Sequence, residues 1–373
     1  MRIAVASESF LPRINGVTNS VARVLEHVER TGHEAIVYAP GVDDGSSYAG
    51  TSVVGLPWVP MPGYREVCIS TAGTRTFVNH FREFRPDVIH LASPFVIGPP
   101  VIRAARQLGI PVVAVFQTDM AGFASEYGLS ALADIAWHRL RRIHSAADVT
   151  LVPSSATYRM LEQQGFSRLA LWPRGVDTAR FNPKHRSDDM RGRLGGHGRV
   201  LIGYVGRLAQ EKEVAQLSVF NDDPRVRVVI VGDGPERESL EAALPGAQFT
   251  GLLTGHELAE VVASLDIVVH TGRHETFCQS VQEAMASGVP VVAPASGGPL
   301  DLVQSSHTGW LYRPGDQRDL HDRVMDLAGD SYKRAAMGAA ARAAVAHRTW
   351  SNIGDLLLGH YESTRLARGL ITG

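Results

Sequence analysis

Cysteine is scarce in this chain: two in 373 residues, Cys68 and Cys278, far apart and without metal-ligand spacing. That excludes a disulfide framework and a cysteine-built metal centre, and points to a reducing compartment. Lysine is scarcer still for its charge class, with only Lys184, Lys212 and Lys333. Long hydrophobic runs are missing. None approaches the roughly 20 apolar residues that cross a bilayer, so membrane contact is expected to be peripheral. The opening MRIAVASESF lacks the apolar core of a signal peptide and reads as a first strand, which suits a cytoplasmic protein. Charge of one sign is missing too: the net formal charge is −1, which excludes a global attraction to nucleic acid. No strand is followed by the G-x-G-x-x-G of a dinucleotide site. No short repeat or low-complexity tract is present.

What is present is an apolar fraction of 44% with 20% charged residues, enough to build two ordinary cores. Short Val/Ile/Ala runs alternate with helical patterns. The runs predict strands at Arg2–Ala6, Ala35–Tyr38, Val88–His90, Val112–Phe116 and Val149–Val152, then Val200–Val205, Val226–Val231, Ile267–His270 and Val289–Ala293. Helices are expected over Val17–Arg30, Thr71–Phe84, Ile97–Leu108, Ser154–Gln163, Pro235–Ala243, Gly255–Ser264 and Cys278–Ser287. Unalternating apolar strands joined by helices imply an α/β chain with parallel, doubly wound sheets. The rhythm pauses over Trp172–Arg193, which sets the expected domain boundary: 1–172, then 173–349. The amphipathic pattern of Trp350, Ile353, Leu356, Leu357, Leu358 and Tyr361 marks a terminal helix, about 350–373, returning to the first domain.

Chemistry is expected in the loops after strands, where doubly wound sheets bind ligands. Gly16 opens a helix after the first strand and could bring backbone N–H groups to a phosphate; the alternative is a plain turn. After Val205, Arg207 and Lys212 could clamp a diphosphate, or be solvated surface cations. The segment HTGRHETFCQSVQEA places Glu275 in a loop and Glu283 inside the next helix. A loop acid can accept hydrogen bonds from sugar hydroxyls, and the second from a ribose. The first amides of that helix, at Phe277, Cys278 and Gln279, could face a diphosphate; the alternative is a capping acid beside a surface one. Ser296-Gly297-Gly298-Pro299 before Asp301 is either a close backbone approach or a simple turn. Two segments could touch lipid or merely pack: the basic stretch Trp137–His144 and the loop Leu56–Tyr64.

These motifs together resemble the retaining GT-B glycosyltransferases of glycosyltransferase family 4. INGV, RPDVIHLASP, RGVDTARFNP, VGRLAQEK, VIVGDGPE and SLDIVVHTGRHETFCQSVQEAMASGVPVVAPASGGPLDLV carry the likeness nearly end to end. Glu275 and Glu283 match the family's E-x7-E. Phe116-Gln117-Thr118-Asp119 and HETFCQSVQEA are most similar to actinobacterial GDP-mannose-dependent α-mannosyltransferases acting on glycolipids. The resemblance implies two Rossmann-like domains facing across a cleft, the first for the acceptor and the second for a nucleotide sugar, with no metal or other cofactor. It implies that Gly16, Arg207 and Lys212 hold the diphosphate, Glu275 orients the transferred sugar, Glu283 binds the ribose, and Leu253 lines the base pocket. Gln117 stands where many relatives have His. Glutamine cannot act as a base, which leaves Asp119 for that role or Gln117 as a hydroxyl binder. Glu213 stands where many relatives have Gly. A UDP-sugar with a soluble acceptor, and a nucleotide-sugar epimerase, are the competing expectations.

Overall fold

The computed structural model describes residues 1–13, 15–61, 64–92, 94–117 and 130–372, with backbone alone at 64–67, 130–133 and 370–372. The chain forms two compact units, Met1–Pro173 with Trp350–Gly373, and Arg174–Thr349.

The first unit contains β1 (Arg2–Ala6), β2 (Glu34–Pro40), β3 (Ser47–Tyr48), β4 (Thr51–Leu56), β5 (Trp58–Met61), β6 (Tyr64–Ser70), β7 (Val88–Leu91), β8 (Val112–Val115), β9 (Val149–Val152) and β10 (Leu169–Leu171). Its main sheet runs in the order β10-β9-β8-β7-β1-β2-β4-β3. All pairs are parallel except β3 with β4. Successive residues of β1 serve opposite faces: Ile3 and Val5 join one core cluster, Ala4 and Ala6 the other. Both faces are covered by helices, so the run cannot alternate with polar residues. The segment expected to be a loop at Leu56–Tyr64 is instead largely strand. β5 pairs antiparallel with β6, and Trp58, Val59 and Met61 are exposed on it. The pairing is decided by partner strands that a local reading cannot supply.

The second unit contains β11 (Val200–Val205), β12 (Val226–Val231), β13 (Gln248–Gly251), β14 (Ile267–Val269), β15 (Val291–Pro294) and β16 (Gly309–Tyr312). They pair in parallel in the order β13-β12-β11-β14-β15-β16. Leu201 and Val205 face one core, Ile202 and Tyr204 the other. Each such fully buried side chain contributes about 1.5–3 kcal/mol of burial free energy.

The terminal helix Trp350–Thr372 packs on the first unit. Ile353, Leu357 and Tyr361, spaced by four, are its buried stripe, whereas Leu356 is exposed. Trp172 Nε1 donates to Ile353 O at 3.0 Å, and the Tyr361 hydroxyl meets His90 Nδ1 at 2.7 Å. Among the described residues no helix is long and apolar enough to cross a membrane.

Candidate active site

In the second unit the sheet order turns between β11 and β14, so their following loops diverge and leave a crevice at the strands' carboxyl ends. Four loops, after β11, β12, β14 and β15, meet there. A Cβ on Gly232, after β12, would lie 1.9 Å from Gly206 O, so only glycine lets these two turns touch. Past Gly206 the chain makes two 3-10 turns, Gln210–Lys212 and Val214–Phe220. Between them Glu213 is left-handed, φ 51°, ψ 33°. Arg273 holds it with both Nε and Nη2.

Lys212 and Glu275 are brought together from residues 63 apart: Nζ donates to Oε1 at 2.6 Å. The Lys212 carbonyl accepts from Thr271 Oγ1 at 2.6 Å, which fixes the lysine backbone to the end of β14. Gly298 N donates to Glu275 O at 2.8 Å. A Cβ on Gly298 would fall 2.1 Å from Phe277 O, so the loop after β15 closes on Glu275 only through glycine.

The electrostatics follow from this pairing. Burial alone would lower the Lys212 ammonium, but the Glu275 carboxylate outweighs it and holds the pKa above its usual value. Burial lowers His270, whose Nε2 lies 3.5 Å from Glu275 Oε1, so the imidazole is neutral near pH 7. Burial and then the Glu275 charge raise the Cys278 thiol, which stays protonated. Ligand atoms of His270, Glu275 and Cys278 lie within 4.8 Å of one another, the only such metal-capable trio among the described residues. The Lys212 ammonium already supplies a cation to Glu275.

The remaining expected residues are placed as follows. Arg207 pairs through Nη2 with the buried Glu211. Both cations expected to clamp a ligand thus have a carboxylate partner in the chain itself. Phe277 and Cys278 are buried. The helix begins at Gln279, capped by Cys278 in a left-handed conformation, φ 79°. Gln279 Nε2 donates to Gly175 O at 3.0 Å. Glu283 is half-buried, and desolvation pushes its carboxyl up to about 7 against the opposing hydrogen bond from Gln279. Leu253 packs on the core, while Leu252 beside it is 74% exposed.

In the first unit Gly16 opens the helix Gly16–Arg30. Asn15 Oδ1 accepts from Val17 N and Thr18 N at 3.0 and 2.9 Å, so those two amides are already used. A Cβ on Gly16 would meet nothing within 4 Å, so the fold itself does not demand glycine there. Gln117 follows β8, and its Nε2 donates to Ala92 O at 2.9 Å. Asp119 lies outside the described residues. In the basic stretch, Arg139 Nε and Arg141 Nη1 donate to the carbonyls of Phe95 and Gln164, so part of that charge ties the fold together.

Sequence reasoning did not single out His270, Glu211 or Glu8. His270 is legible only as a strand end. Glu8 lies just past a strand end, and that position is the signal that could have found it, whereas Glu211 lies in the 3-10 turn Gln210–Lys212.

The Glycosyltransferase Family 4 model matches residues 14–180, and the Glycosyl transferases group 1 model matches residues 187–344. A GDP-mannose-dependent alpha-mannosyltransferase of Mycobacterium tuberculosis is 47% identical over 98% of this chain and 97% of its own. One of Corynebacterium glutamicum is 43% identical over 97% of this chain and 88% of its own. Sucrose-phosphate synthase from Thermosynechococcus elongatus superimposes with a TM-score of 0.83 at 20% identity, covering 98% of this chain and 99% of that one. That likeness shows the fold, GT-B. With two parallel α/β units, a loop-borne Lys–Glu pair at the turn of the second sheet, and relatives this similar over nearly their whole length, the chain belongs to glycosyltransferase family 4 and is a glycosyltransferase.

Proposed function

We propose that this enzyme transfers mannose from GDP-mannose to a glycolipid acceptor, retaining the anomeric configuration, at the cytoplasmic face of a membrane that it contacts peripherally. The observation that carries this reading is the Lys212–Glu275 pair, 2.6 Å apart, at the sheet's turning point in the second unit. The curated relatives' donor supplies the identity of the sugar nucleotide.

In this reading the second unit binds the donor and the first the acceptor. Arg207 and Lys212 neutralise charge growing on the departing diphosphate, with the amides around Phe277, Cys278 and Gln279. Glu275 accepts hydrogen bonds from the transferred sugar and keeps Lys212 extended toward the phosphates. Glu283 binds the ribose, the 251–254 turn carrying Leu253 receives the base, and Gly16 leaves room for the donor. Gln117 orients hydroxyls. An acceptor hydroxyl attacks the anomeric carbon from the face the diphosphate leaves, and a donor phosphate oxygen takes the proton. No metal enters.

A thermal-shift panel of GDP, UDP, ADP and their sugars tests the donor. GDP and GDP-mannose are expected to raise the unfolding temperature most. A larger shift with UDP-sugars would replace the donor assignment, and sugar interconversion in a donor-only assay would indicate an epimerase. Sedimentation with anionic vesicles at low salt tests the membrane contact; no binding counts against it.

A further inference from the structure

The first unit's sheet also turns, between β1 and β7, and doubly wound sheets bind ligands at the carboxyl ends of strands flanking such a turn. Glu8 stands there, two residues beyond β1. Its Oε1 accepts from Val96 N and from Ile97 N, the latter at 3.0 Å, at the entry to the helix Gly98–Leu108 after β7. The side chain therefore spans the turning point of the sheet. Ala92 N donates to Ala6 O at 2.9 Å beside it, and Gln117 Nε2 bonds the Ala92 carbonyl at the same edge.

Helix capping accounts for Oε1 alone. No described residue bonds Oε2, and the side chain is only half-buried, so that oxygen keeps open capacity. A neutral side-chain oxygen would cap the helix as well as an acid does. An acid held at a sheet's turning point, with one oxygen fully used and one open, is the arrangement of a ligand-binding carboxyl. We propose that Glu8, at the carboxyl ends of β1 and β7, binds a hydroxyl group of the acceptor through Oε2. This assignment rests on the glycosyl-transfer reading above.

Burial pushes the Glu8 carboxyl up to about 7, with the Val96 and Ile97 amides and the Arg139 guanidinium pulling the other way. Arg139, anchored by Nε on Phe95 O at 2.9 Å, is the charged group facing Glu8 among the described residues. The group therefore changes from hydrogen-bond donor to acceptor across neutrality, and acceptor use inherits a pH step there.

The test compares Glu8→Gln and Glu8→Asp with the wild-type enzyme. Transfer from GDP-mannose to monoglucosyldiacylglycerol and to phosphatidylinositol in mixed micelles is measured from pH 5.5 to 8.5, with GDP affinity by calorimetry. Glu8→Gln keeps an oxygen for the Val96 and Ile97 amides, so its unfolding temperature is expected to match the wild type. Its kcat/KM for acceptor is expected to fall at least tenfold and to lose the step near pH 7, while GDP affinity changes less than twofold. Glu8→Asp is expected to keep the step and recover part of the rate. Unchanged acceptor kcat/KM and pH profile in a folded Glu8→Gln would overturn the assignment and leave Glu8 a helix cap. Equal losses of GDP and acceptor affinity would also overturn it. No transfer by the wild-type enzyme to either lipid would overturn the glycolipid reading and the assignment with it.

Discussion

Glu275 faces an ammonium on one side and a neutral imidazole on the other. Changing it to glutamine keeps its shape and removes the charge that offsets Lys212. The expected outcome is a fall in kcat of about 10²–10³, the usual loss for one preorganised electrostatic contact. The fold should lose no more than about 1–3 kcal/mol, the cost of leaving a partly buried donor poorly paired. Turnover and chemical denaturation measured together check this. Near-normal turnover would remove Glu275 from the mechanism. Two neighbouring residues carry backbone strain: Glu213 at φ 51° and Cys278 at φ 79° hold left-handed conformations that suit glycine. The Arg273 contacts bear part of that strain at Glu213.

Among the elements, the terminal helix Trp350–Thr372 depends on close approach to the helix Gly16–Arg30. Gly354 lies against His27, and a Cβ there would sit 2.3 Å from the imidazole Cγ. His27 is buried and its Nε2 lies 3.0 Å from Asp355 Oδ1, so the ring cannot simply swing away. Gly354→Ala is therefore expected to lower stability by about 1–3 kcal/mol, the range for overpacking a tight contact. The helix propensity of alanine returns at most about 1 kcal/mol. Thermal unfolding measures the balance, and a stabilised variant would show that the helices separate without penalty.

At the scale of the whole molecule, two carboxyls lifted to about 7 shape the dependence of stability on pH, Glu8 in one unit and Glu283 in the other. Desolvation is the main cause in both. In the unfolded chain each titrates near 4.5, so between about 4.5 and 7 the folded state binds more protons. Stability from these groups is full below 4.5 and is lost as pH rises through about 7. Glu283→Gln should flatten that decline. The unfolding temperature from pH 5 to 8 measures it, and parallel curves for variant and wild type would contradict the assignment.

Much of this protein was legible from local pattern alone. Val149–Val152, Val200–Val205 and Val226–Val231 are strands at their expected limits, because residues buried on both faces leave an unbroken apolar run. Glu275, Lys212 and Arg207 were legible as functional candidates because they follow strands. The short strands β10, β13 and β16 leave no local signal, because Leu169–Leu171, Gln248–Gly251 and Gly309–Tyr312 are strands only by pairing at a sheet edge. Tertiary structure alone decided that Lys212 and Arg207 are paired with Glu275 and Glu211 rather than free. It alone set Glu8 astride the turn of the first sheet. Periodicity records which faces are buried, whereas a contact between residues 63 or 89 apart exists only once parallel strands have brought their carboxyl ends together.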